Sequence, residues 1–145
     1  MEHEKLLDLT MTAIDRAMAG DSAAAATALV EIGQSGDPFD VFGACCAFAH
    51  VGKAALTKIY GDKAPDPSHG DMWAMQMLDA TRSDPAEVFA CRFIVAYAND
   101  DKDLAPALFR ASLEASDEEH VSSVSQLLAT AVSLSRTART MQEGQ

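Results

Sequence analysis

The chain has 145 residues, with 22 Asp or Glu against 11 Lys or Arg and a formal net charge of -11. A chain of this length folds as one domain, 1–145, and 48% hydrophobic residues are enough to build its core. The acid excess opposes phosphate recognition, which needs a basic face, and adhesion to anionic lipid, so no nucleic acid and no membrane are expected as partners.

Alanine supplies 27 residues while β-branched and aromatic residues are sparse, a balance that favours helix over sheet. The opening segment MEHEKLLDLT has neither the basic region nor the apolar run of a secretory signal. Three cysteines, two of them adjacent, make a poor disulfide framework and are read as reduced thiols, which points to the cytoplasm. The longest charge-free apolar stretch, Val41 to Gly52, falls short of the ~20 residues a bilayer needs, so no membrane span is expected.

The first predicted helix covers about 3 to 19, with Leu7, Met11, Ile14 and Met18 as its apolar stripe and Gly20 as a left-handed C-cap. The second follows Asp21 or Ser22 as N-cap and ends at Ser35-Gly36. Asp37 caps the third, with Pro38 at the first helical position and Asp40 three residues after the cap, and this helix runs to about Tyr60. Its first half is apolar nearly all round, which marks a central helix. Residues 61–70 (GDKAPDPSHG) read as a flexible loop.

A short fourth helix is predicted from Asp71 to about Arg82. The fifth opens at Asp84-Pro85 and continues through an apolar run to Asn99. The sixth begins after the acidic run Asp100 to Asp103 and accommodates Pro106 in its first turn. The seventh opens on a capping box of Ser116 and Glu119 and presents Val121, Val124, Leu128 and Ala131, with Arg136 and Arg139 closing it at the negative end of its dipole. No segment alternates with period two, so the fold is all-α, about seven helices arranged as stacked antiparallel hairpins.

The hairpin expectation rests on an internal match. DPFDVF at 37–42 and DPAEVF at 84–89 open two unusually apolar helices 47 residues apart, the pattern of a short helical-repeat-like bundle whose common use is protein binding. Much of the acidity, including Asp21, Asp37, Asp84, Asp101 and Asp117, sits at these helix starts, which accounts for it by capping and disfavours a nucleic-acid mimic.

Few residues suggest chemistry. Cys46 and His50 are i, i+4 on one helix, a spacing that can hold two metal ligands with His69 and Cys91 as further candidates, but a cysteine in an apolar helix is ordinarily a core residue. Arg92 is the one cation inside an apolar helical stretch, and its burial would demand a carboxylate or an anionic ligand. Phe42, His50, Arg92 and Tyr97 are therefore candidate ligand-binding residues in a pocket between the third and fifth helices. Met72, Trp73, Met75 and Met77 form a Met/Trp cluster with core packing as its ordinary role and a partner-binding groove as the alternative. GxSxG, GxGxxG and GxxxxGK[ST] are all absent, so no catalytic residue and no cofactor is assigned. The expected function is a non-enzymatic protein-interaction module whose partner is another protein or a second copy, with a binder of a small anionic ligand or a minor enzyme as the alternative.

Overall fold

A computed structural model describes residues 1–78 and 84–144. Among the described residues there are six α-helices and no strands: α1 (His3–Met18), α2 (Ser22–Ser35), α3 (Pro38–Tyr60), α4 (Pro85–Ala98), α5 (Leu104–Glu114) and α6 (Asp117–Glu143). The fold is all-α, with six helices where about seven are expected.

The difference lies in the span from Asp71 to Arg82. Residues 71–74 are irregular, Met75–Leu78 is a single 3-10 turn, and 79–82 lie outside the described residues. The Asn99 carboxamide explains why residues 71–74 are not helical: its Oδ1 accepts from the Trp73 N–H at 2.7 Å and its Nδ2 donates to the Trp73 carbonyl at 3.0 Å. Both backbone groups of Trp73 are thus satisfied outside any helix. Tyr60 adds a second tie, its hydroxyl donating to the Met77 carbonyl at 2.7 Å. Residues 61–70 fold into two 3-10 turns, Gly61–Lys63 and Pro67–His69.

Helix starts follow the local chemistry. Asp37 and Asp40 form a reciprocal capping box, each carboxylate accepting from the other's N–H at 2.9 Å. Asp21 accepts from Ala24 N–H, Asp84 from Ala86 N–H and Ser116 from Glu119 N–H. Helix α1 ends as predicted, with Gly20 at φ +83° and Asp21 N–H reaching back to the Arg16 carbonyl at 2.9 Å.

Two faces depart from expectation. In α1 the buried face is Leu6, Thr10, Ala13, Ile14 and Ala17, while Leu7 and Met11 are exposed. Thr10 enters the core because its hydroxyl donates to the Leu6 carbonyl at 2.7 Å and leaves only its methyl to pack. Helix α6 runs beyond Arg136 and Arg139 to Glu143, so these arginines do not close it. Arg136 instead donates from Nη2 to the carbonyls of Ala17 and Met18, at 3.0 and 3.4 Å, and so caps the C-terminus of α1.

Helix α6 packs most extensively against α3 and α4, which also pack on each other, while α1 pairs with α2 across a three-residue turn. The core lies where α3, α4 and α6 meet. Phe48, Leu56, Phe93, Ile94 and Leu127 are fully buried there, and the close approach depends on small residues such as Ala49, Gly52, Ala90, Ala96 and Ala131. The repeat is local: both Asp-Pro starts are capped by their aspartate, Asp37 accepting from Asp40 N–H and Asp84 from Ala86 N–H, yet no α-helix lies between α3 and α4 among the described residues to match α2 before α3.

Three helical glycines lie in different surroundings. A Cβ on Gly52 would meet Ile94 Cδ1 at 3.1 Å and Cγ2 at 3.3 Å, whereas Gly33 and Gly43 have nothing within 4 Å. Gly43→Ala should stabilise the chain by about 1 kcal/mol through helix propensity alone. In Gly52→Ala the same gain is outweighed by overpacking of about 1–3 kcal/mol against a fully buried isoleucine. Urea denaturation of the two variants distinguishes them, and equal stabilisation would contradict a close-packed α3–α4 contact.

Candidate functional site

A largely apolar groove of about 460 Å³ opens between α2, the first turns of α3 and the N-terminal half of α6. Its two walls are helix faces. Ala26, Leu29, Val30 and Gly33 of α2 follow an i, i+3, i+4, i+7 pattern, and Asp117, Val121 and Val124 of α6 follow i, i+4, i+7. Val41 and Ala44 of α3 form the floor, and Leu113 of α5 contributes at the side. Helix α2 packs on α1 and only lightly on α3, and it does not pack extensively on α6, so the two walls stand apart.

Several large apolar side chains here face solvent. Val30 is 52% exposed, Val121 59% and Leu113 38%, while Phe39, in the same first turn as Pro38, is 86% exposed. Val121, expected in the core stripe of the last helix, is therefore a surface residue. The buried face of α6 is Ser123, Val124, Leu127, Leu128, Ala131 and Val132, and Val121 is turned off it toward α2.

His120 anchors the same end of the groove. Its Nδ1 lies 2.6 Å from Ser112 Oγ, and its ring stands edge-on to Phe109 at a centroid distance of 5.4 Å. This ties α5 to the first turns of α6. Burial lowers the His120 pKa from its ordinary 6.5, with Asp117 opposing that shift. The neutral ring bonds to the Ser112 hydroxyl in either tautomer, and its burial makes the folded state favour unprotonated His120.

The candidate ligand residues only partly converge. His50 Nδ1 is 3.1 Å from the Tyr97 hydroxyl, with the rings edge to face at 6.0 Å. Phe42 and Tyr97 line a shallow cleft of about 310 Å³ with Cys46, Asp100 and Asp101. Burial raises the Tyr97 pKa, helped by Cys46 and Asp100, and burial likewise raises Cys46. Arg92 is exposed and lines a different groove, of about 760 Å³, with Asp84, Leu108, Ser112, Ser116 and Glu119. The spacing explains this: five residues place Arg92 and Tyr97 roughly 140° apart around α4. The Arg92 groove carries three carboxylates, Asp84, Glu118 and Glu119, against the single guanidinium, so it is not matched to an anion.

The Met/Trp cluster does not present one shared face. Trp73 is buried against Tyr60, at a ring distance of 5.8 Å, Met75 and Met77 are half-buried, and only Met72 is fully exposed. Cys45 and Cys91 are buried, and Cys46 is half-buried. Desolvation raises the Cys45 pKa strongly, away from the reactive thiolate. Among the described residues no three His, Cys, Asp or Glu side chains are grouped to hold a metal ion, so Cys46 and His50 have no third ligand there.

Helix α3 corrects one expectation. With its following turn, Pro38–Lys63 is long and apolar enough to cross a membrane by length and composition, because the apolar character extends past Gly52 despite Lys53 and Lys58. Its Ala44, Cys45, Phe48, Ala49, Ala55 and Leu56 are buried in the bundle.

Comparison of the chain with protein-family models, curated proteins and solved structures finds no match.

The His120–Ser112 contact has a pH consequence. Its stability contribution is complete above the unfolded-state pKa near 6.5 and is lost as pH falls below that value toward the lower folded-state pKa. His120→Asn keeps an acceptor near the Nδ1 position without titrating. The melting-temperature advantage of the parent chain over this variant should shrink between pH 7.5 and pH 5, and an advantage independent of pH would contradict a neutral His120 in the fold.

Proposed function

We propose that this chain is a protein-interaction module whose binding surface is the α2–α3–α6 groove. The observation that carries this reading is the convergence of Val30, Leu113 and Val121, all exposed, on one open groove whose walls are two helix faces. Isolated exposed apolar residues are ordinary on protein surfaces, but several lining one concavity mark a contact site. The surrounding chemistry favours binding over catalysis. Of the polar groups lining the groove, Asp37 is committed to its capping box and His120 to Ser112.

The alternative, a pocket for a small anionic ligand, loses support from the geometry. It needs Arg92 beside His50 and Tyr97, and Arg92 lines a separate groove with three carboxylates, Asp84, Glu118 and Glu119.

A Val30→Asp/Val121→Asp variant tests the reading, because both side chains are exposed and their replacement leaves the core intact. The variant should melt within about 4 °C of the parent, since two surface substitutions change stability by roughly 1 kcal/mol or less together. Affinity capture from native extract, read by quantitative mass spectrometry, should retain a protein on the parent chain and lose it on the variant. Equal retention on both chains would overturn the groove as the binding surface.

A further inference from the structure

We infer that the occupant of the α2–α3–α6 groove is a single amphipathic helix of another protein, apolar on one face and carrying Lys or Arg at its flanks. This rests on the groove being the interaction surface and specifies what it takes.

The shape argument begins with the walls. A helix laid in the groove would present its own i, i+3, i+4, i+7 side chains to Val30 and Gly33 on one side and to Val121 and Val124 on the other, the pattern by which helices fill one another's grooves. Gly33 has no heavy atom within 4 Å of where a Cβ would stand, so a partner's side chain can approach the α2 backbone there. Between residues 26 and 34 this wall extends about 12 Å at the helical rise, which suits a ligand of two to three turns. An extended peptide is less suited, because no strand edge is present among the described residues to pair with it.

The charge argument selects the flanks. The groove lining contains two carboxylates, Asp37 and Asp117, and no lysine or arginine. Asp37 stands at the start of α3 and Asp117 at the start of α6, whereas Asp40 is paired with the N-terminal ammonium of Met1 at 3.6 Å and Glu118 and Glu119 line the Arg92 groove. The chain as a whole carries -11. A second copy would bring the same acids to the same place and the same net charge, and like-charge juxtaposition opposes that pairing. A basic helix meets complementary charge at Asp37 and Asp117.

Three synthetic 18-residue helices with one common Leu face and with Lys/Arg, Gln or Glu on their flanks provide the test, titrated onto the full chain and followed by fluorescence anisotropy and amide chemical shifts. The basic helix should bind, with shift changes confined to α2, the start of α3 and the start of α6, and tightest at low salt. Asp37→Asn/Asp117→Asn, which keeps a competent cap at residue 37, should weaken it about five- to tenfold, and Val30→Asp/Val121→Asp should abolish it. Equal binding of the Gln and Glu helices, or binding of the basic helix that is unaffected by Val30→Asp/Val121→Asp, would overturn the inference. So would no binding of the basic helix, or a dimer in sedimentation equilibrium that Val121→Asp dissociates. If a captured protein depends on Val30 and Val121 while the basic helix fails to bind, the interaction surface stands and the identity of its occupant is what falls.

Discussion

Every other feature of this fold is mounted on the burial of α6 against α3 and α4. These three helices supply the fully buried side chains Phe48, Leu56, Phe93, Ile94 and Leu127. The constraint is steric, because helix axes approach this closely only where alanine or glycine occupies the crossing, and Ala49, Gly52, Ala90, Ala96 and Ala131 do so. An alanine-rich composition therefore does two things here: it favours helix locally and it sets how near the helices come. The remaining elements bury Ile14, Ile32, Trp73 and Phe109 against that unit, and polar ties add to this, Arg136 to the end of α1, Asn99 to Trp73, and His120 to Ser112.

The groove is a consequence of this mounting. Helix α2 is carried by α1, whereas the start of α6 is fixed by α5 through the Ser112–His120 contact and the Phe109 ring. Neither attachment brings α2 against α6, and the first turns of α3 close only the floor between them. The exposed Val30 and Val121 thus stand on the two flanks of this groove. The His50–Tyr97 pair on the other exposed face has no comparable concavity, and its polar groups satisfy each other.

The sequence is most legible where the physics is local. Asp21, Asp37, Asp84 and Ser116 cap helices in the structure because a side-chain oxygen and an N–H two or three residues on need no tertiary help. It is least legible where a distant residue intervenes. The segment after Asp71 has helical composition, but Asn99 takes the backbone groups of Trp73 from 26 residues away. Thr10 looks polar and is buried, while Leu7 and Met11 look like core and are not, because a hydroxyl returning to the Leu6 carbonyl changes what the residue shows its neighbours. The separation of Arg92 from Tyr97 was available from helical rotation alone. The groove was not, since its existence depends on the distance between α2 and α6, which no local pattern encodes.

The central claim is that α3, α4 and α6 form the unit on which the rest depends, and native-state hydrogen exchange tests it most directly. Amides in the buried middle of α3, α4 and α6 should be the slowest to exchange, opening only with the free energy of global unfolding, while those of α2 and residues 61–78 open at lower cost. Protection that persists in α1 and α2 after α6 has exchanged would contradict the account.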